Sequence, residues 1–110
     1  MAVMPDPGPT LLEIHRDGHD GRFRLVGELD LTVAPKLVEQ VGPVFETTAD
    51  VTLDLSELRF MDSSGIHALI EIARKRNGEG RLVLKSPRDA VAMVLRVAGI
   101  EGVEGLRIQN

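Results

Sequence analysis

The run Val51-Thr52-Leu53-Asp54-Leu55-Ser56 and, after three residues, Phe60-Met61-Asp62-Ser63-Ser64-Gly65-Ile66 carry this chain from an apolar strand into an amphipathic helix. Val51, Leu53 and Leu55 alternate with Thr52, Asp54 and Ser56, the period of a half-buried strand. Beyond the junction, Ile66, Leu69, Ile70 and Ala73 fall on one face of an α-helix. Two hydroxyls, a carboxylate and a glycine therefore stand at a helix N-terminus held between buried flanks. Backbone amides without helical partners, and the positive end of the helix dipole, favour negative charge at such a place. A serine there can cap the helix, and it can also carry a phosphate.

Capping accounts for part of the motif, because Asp and Ser are both preferred N-caps and either Asp62 or Ser63 can serve. One residue is enough for a cap. Gly65 in the first turn weakens the helix by roughly 1 kcal/mol relative to alanine. Its missing side chain is expected to leave the neighbouring serine open to approach.

On either side of this junction the chain alternates strands and helices. Leu11 to His15 and Arg22 to Gly27 are expected strands, joined by a turn over Asp17 to Gly21 into a hairpin. A first helix is expected from near Ala34 to Glu46, burying Leu37, Val38, Val41, Val44 and Phe45. Pro35 suits its first turn. Pro43 in its interior would cost roughly 3 kcal/mol or force a kink, so the helix either bends there or ends near Val41. Asn77-Gly78-Glu79-Gly80 closes the second helix and leads into a strand over Arg81 to Lys85.

Ser86-Pro87 is then expected to start a third helix, with serine as cap and proline at the first helical position. That helix turns Val91, Val94, Leu95 and Ala98 inward and ends at Gly99. Leu106 to Ile108 can add a last short strand. Met1 to Pro9, rich in proline, reads as a flexible tail ahead of one domain over 10–110. The order of elements predicts an α/β fold, a mixed β-sheet packed against α-helices.

At 110 residues the chain can bury a genuine core without staples. It has no cysteine, hence no disulfide framework, thiolate metal site or thiol nucleophile. No secretory signal is visible, and no apolar run approaches the roughly 20 residues of a membrane span. A soluble, cytoplasmic protein is expected.

The net charge of −4, the absence of Tyr and Trp, and three scattered Phe argue against direct nucleic-acid binding. Arg74, Lys75 and Arg76 cluster between Glu71 and Glu79, as on a solvated helix end whose cations complement the dipole. No phosphate-binding glycine loop, dinucleotide fingerprint or paired-histidine motif is present. His15, His19 and His67 lie apart in the sequence. No metal and no cofactor are expected.

Leu53-Asp54-Leu55-Ser56 followed by Phe60-Met61-Asp62-Ser63-Ser64-Gly65 resembles the signature of the STAS domain, in the branch of bacterial anti-sigma-factor antagonists. Gly27-Glu28-Leu29-Asp30 and Ala34-x-x-Leu37 resemble that family's earlier motif. Arg81-Leu82-Val83-Leu84, Ser86-Pro87 and Leu95-x-x-Ala98-Gly99-Ile100 resemble its closing strand and helix. The likeness extends from about Leu11 to Ile108 and implies a STAS-like sheet and helices. It also implies a partner switch. The unphosphorylated antagonist binds an anti-sigma factor that is also a serine kinase, and a sigma factor is released. Phosphorylation of the second serine of the motif, Ser64, turns the antagonist off, and a metal-dependent serine phosphatase restores it. ATP and metal belong to those partners.

Ser64 is thus the expected phosphorylation site, beside Gly65, with Ser63 better placed to cap. Asp62 is expected both as a cap and as a group beside the acceptor hydroxyl. Asp30 caps the first helix or its approach turn, and by resemblance lies in the loop next to the acceptor. The family often has a threonine three residues after that aspartate, where this chain has Val33. His67 and Glu71, four apart, form an exposed surface pair or a docking contact, with Arg74 at the edge. The expected partner-binding set is Asp30, Asp62, Ser63, Gly65, His67, Glu71 and Arg74.

Ser64, His67 and Asp62 could be read as nucleophile, base and orienter, but no oxyanion donors or substrate pocket accompany them, so an enzyme is not expected. Two other readings keep the fold: a STAS scaffold or regulatory subunit of a sensory or transporter complex, and a small module binding an anion or nucleotide at the helix N-terminus.

Overall fold

The computed structural model describes residues 12–18 and 20–110. The expected tail, the start of the first strand at Leu11, and His19 lie outside them. The elements run β1 (Leu12–Arg16), β2 (Arg22–Leu29), α1 (Ala34–Thr47), β3 (Asp50–Met61), α2 (Ser63–Ala73), β4 (Arg81–Lys85), α3 (Asp89–Val97), a short 3₁₀ turn (Ile100–Gly102) and β5 (Leu106–Gln109). The strands form one sheet in the order β1-β2-β3-β4-β5. β1 is antiparallel to β2, and the other pairings are parallel. The expected mixed sheet is present.

Register shows which face the helices cover. Phe23 lies opposite Leu53, and Leu53 opposite Leu84, so these buried side chains share one face. Leu25, Val51, Leu55, Leu82 and Leu106 are buried as well, in one cluster with Leu37, Val41 and Phe45 of α1, Leu69 and Ile72 of α2, and Val91 and Leu95 of α3. All three helices therefore pack on the same face of the sheet. The opposite face is left to water, and it carries charge. His15 pairs with Arg24, Arg24 with Asp54, and Asp54 with Lys85, one row of polar residues across four strands. Burial alone would raise the Asp54 carboxyl, but the Ser56 amide and hydroxyl, then Lys85 and Arg24, hold it below its ordinary range.

β3 is much longer than the alternation over Val51–Leu55 suggests. Between Arg24 and Val26, and again between Gly27 and Glu28, the register with β3 shifts by one residue. Each shift places an extra residue on β3, as in a β-bulge. The buried residues accordingly change spacing, from Val51, Leu53, Leu55 to Leu58 and Met61. The second bulge restores the phase that the first one shifts, so Met61 faces the core as the strand ends and hands over to Asp62.

Other expectations need correction. α1 neither stops at Val41 nor breaks at Pro43, because Pro43 sits on the exposed side of a helix that continues to Thr47. Val38 and Val44 are only half-buried. On α2, Ala68 and Ile72 join the buried face and Ile70 is half-buried. α3 begins at Asp89, not at Ser86-Pro87, with Arg88 in the N-cap position. Ser86 adopts φ 54, its amide donates to the Gln109 carbonyl (2.7 Å), and the Arg88 side chain donates to the Ser56 carbonyl (2.9 Å). These bonds tie the segment to β5 and β3 rather than to a helix. Ala98, expected on the inner face, is exposed. Gly99, in the left-handed region at φ 70, does terminate α3.

Candidate functional site

The two long parallel strands β2 and β3 end side by side, with Leu29 opposite Met61. The Asp62 amide donates to the Leu29 carbonyl (3.3 Å), which fixes the start of α2 against the end of β2. Asp62 is extended and serves as the N-cap, its Oδ1 accepting from the Ser64 amide at 2.9 Å. Its carbonyl accepts from the amides of Gly65 (3.0 Å) and Ile66 (3.3 Å). Asp62 is the cap, as expected, whereas Ser63, expected to be the better placed cap, is an exposed first-turn residue. The first-turn amides of Ser64, Gly65 and Ile66 already have acceptors and are not free for an external anion.

Asp30 plays a parallel part at α1. Its Oδ1 accepts from the amides of Thr32 (3.0 Å) and Val33 (3.4 Å), and its carbonyl from those of Val33 (3.2 Å) and Ala34 (2.9 Å). It therefore holds the approach turn, while Val33 occupies the N-cap position without a side-chain bond and turns into the core.

Gly65 is not open to approach, contrary to its expected place on a contact surface. It is buried, and a Cβ built on it would lie 2.6 Å from Met61 Cγ and 2.9 Å from Leu29 Cγ. The missing side chain lets the first turn of α2 sit directly on the ends of β2 and β3. Gly65 thus acts by packing, and it sets the height at which Ser64 stands.

Ser64 is half-buried, and its hydroxyl makes no hydrogen bond among the described residues. It lies at a groove of about 380 Å³ between α1 and α2. One wall is Ser64, His67, Ala68 and Glu71 of α2, and the other is Leu31, Ala34, Pro35, Val38 and Glu39. Leu31, at the approach to α1, is 73% exposed, a large apolar side chain presented to solvent on the same groove as Ser64. The structure thus brings Ser64, His67 and Glu71 together. Ser63 and Arg74 are exposed outside this groove, and Arg74 stands at the C-cap of α2. No ion pair joins His67 to Glu71 among the described residues.

The α1 wall escapes the sequence reading, although a signal for it exists. Leu31, Ala34, Pro35 and Val38 recur at the spacing of one helix side, offset from Leu37, Val41 and Phe45. The Lys36 ammonium does not enter the groove, since it donates to the Leu12 carbonyl at 3.1 Å. Nor are Ser64, His67 and Asp62 assembled as a catalytic triad, because the Asp62 carboxylate is engaged by the Ser64 amide. Among the described residues no cluster of His, Asp and Glu could hold a metal ion, and no helix is long and apolar enough to cross a membrane.

Comparison with known proteins places this geometry. A family model described as "Mlab, STAS domain" matches residues 12–108. The anti-sigma-B factor antagonist of Bacillus subtilis is 26% identical over 98 residues, 86% of this chain and 85% of that protein. An anti-sigma factor antagonist from Mycobacterium paratuberculosis superposes with a TM-score of 0.79 at 23% identity, covering 91% of this chain and 88% of the other. The anti-sigma factor antagonist SpoIIAA in its unphosphorylated form gives a TM-score of 0.71 at 18% identity over 91% and 89% of the two chains. The phosphorylated form of SpoIIAA, a Bacillus cell fate determinant, gives 0.63 at 17% identity over 91% and 92%.

Proposed function

The chain belongs to the STAS domain family, and on that footing we propose that it is an anti-sigma-factor antagonist switched by phosphorylation of Ser64. Unphosphorylated, it binds an anti-sigma factor that is also a serine kinase, and the sigma factor held by that partner is released. The kinase then transfers the γ-phosphoryl group of ATP to Ser64 Oγ, the hydroxyl proton is lost, and ADP leaves. A serine phosphatase hydrolyses the ester and restores binding. The chain itself is a regulator and not an enzyme. Nucleotide and metal are held by its partners.

One observation carries this reading. Ser64 offers a hydroxyl with no bond among the described residues, at the edge of an open, largely apolar groove, while Asp62 fixes the backbone beneath it. The relatives support it, since SpoIIAA is known in unphosphorylated and phosphorylated forms. A small-anion module is less well supported, because the Asp62 carboxylate already occupies the amide such a ligand would use.

We take the groove, from Leu31 to Glu71, as the partner's docking surface. Phosphate adds about −1.5 to −2 charges and three strong acceptors where a partner would pack against a neutral hydroxyl. A coupling of about 1–3 kcal/mol would weaken docking about 5- to 150-fold.

The test begins with a Ser64→Ala bait, which should retain the kinase partner. The captured kinase, given wild-type protein and ATP, should modify Ser64 alone by mass spectrometric mapping. Phosphate on Ser63 or Ser56 instead would overturn the assignment. Alanine at His67 or Glu71 should weaken docking while changing stability by less than about 0.5 kcal/mol.

A further inference from the structure

Ser64, His67 and Glu71 fall on one side of α2 at successive turns, and all three line the groove. Of the nine residues lining it, His67 is the only one that can become a cation. Glu39 on the α1 wall and Glu71 on α2 face the same space, and neither has an ion-pair partner among the described residues. Asp62 holds its carboxylate on the Ser64 amide at 2.9 Å. Lys36, the nearest lysine along the α1 wall, is bound to the Leu12 carbonyl, and Arg74 lies outside the groove. A phosphate on Ser64 would enter a space bounded by carboxylates with a single group able to answer it.

Resting on the phosphorylation of Ser64 put forward above, we propose that His67 is the internal partner of the phosphoserine, its protonated imidazole pairing with the phosphate one turn away along the α2 wall of the groove. The phosphate then lies along the groove in place of pointing into solvent, so it excludes a docking segment by its bulk. Protonation of His67 and phosphorylation of Ser64 favour each other, and the linkage is reciprocal. Glu39 and Glu71, the charged groups that share the groove with His67, are carboxylates and cannot pair with the phosphate. The pair should therefore hold more firmly as pH falls toward 6, where histidine gains its charge while the phosphate retains at least one.

The test installs phosphoserine at position 64 during translation, so no kinase is required, and follows both groups by NMR. In the phosphoprotein the His67 imidazole should titrate about one unit higher than in the unmodified protein, with His15 unchanged as control. The phosphorus resonance should report a second ionisation displaced to lower pH, and His67→Gln should abolish that displacement without altering the melting temperature. Coincident His67 titration curves in the two proteins would overturn the pairing, and so would a phosphorus titration indifferent to His67→Gln. Either result leaves the kinase assignment standing. Failure of a kinase to modify Ser64 would instead strike the parent reading and leave the NMR result intact.

Discussion

Replacing Gly65 with alanine tests whether the seat of α2 is as close as its geometry indicates. The added methyl would meet Met61 Cγ at 2.6 Å, Leu29 Cγ at 2.9 Å and Leu29 Cδ2 at 3.0 Å. Neither neighbour can swing into water, since Met61 is 2% exposed and Leu29 fully buried. Forcing a methyl into a packed core costs about 1–3 kcal/mol, and two immobile neighbours place this site in the upper half of that range. Alanine returns up to about 1 kcal/mol of helix propensity, and less in a first turn. A net loss of about 1–3 kcal/mol follows, a fall of about 4–24 °C in melting temperature for a domain of this size.

Urea denaturation followed by circular dichroism should show this loss at unchanged slope. A double-mutant cycle locates the cause: with Met61→Ala in place, the same methyl should cost at least about 0.5 kcal/mol less. A Gly65→Ala protein as stable as wild type, with additive behaviour in the cycle, would refute the close approach. Gly65 would then serve only the conformation of its own turn.

Asp62→Ala removes the acceptor of the Ser64 amide and should cost about 0.5–2 kcal/mol in urea melts, whereas Asp62→Asn, which keeps a capping oxygen, should stay within a few tenths. Equal losses in the two would assign the effect to charge rather than to the cap. Asp54 gives the pH signature. Its carboxyl is held below its ordinary 3.8, so the stability it contributes is complete above that value and drains away as pH falls through the lower folded-state value. Asp54→Asn should therefore flatten the acid limb of the stability profile below about pH 4. An acid limb as steep as that of wild type would remove Asp54 from the account.

The parts legible in the sequence are those where one local pattern decides. Val51 to Leu55 alternates, Asp62-Ser63-Ser64 caps, and Gly99 terminates a helix, all by short-range chemistry. The parts that escaped depend on contacts distant in sequence. Ser86-Pro87 has the composition of a helix start, yet bonds to Gln109 and Ser56 hold it outside the helix. Leu58 lies off the period of two set by Val51, Leu53 and Leu55, and Met61 returns to it, because the two bulges are defined by register with β2, which β3 alone cannot reveal. Gly65 reads as an opening when considered alone and as a packing contact once Leu29 is beside it. Half of the candidate site was visible on α2. The other half, from Leu31 to Glu39, becomes a wall only when α1 is laid against α2.

Pro43 bears on that wall. Proline supplies no amide hydrogen, so the Glu39 carbonyl, four residues earlier, has no helical donor. The hydrogen-bond ladder of α1 is thus interrupted one turn beyond the groove, between the segment that lines it and the segment carrying Phe45, which is anchored in the core. Leu37 and Val41 before that gap and Phe45 after it are all fully buried in the core. Side-chain packing on both sides of the missing bond, rather than an unbroken backbone ladder, therefore fixes where the α1 wall of the groove stands.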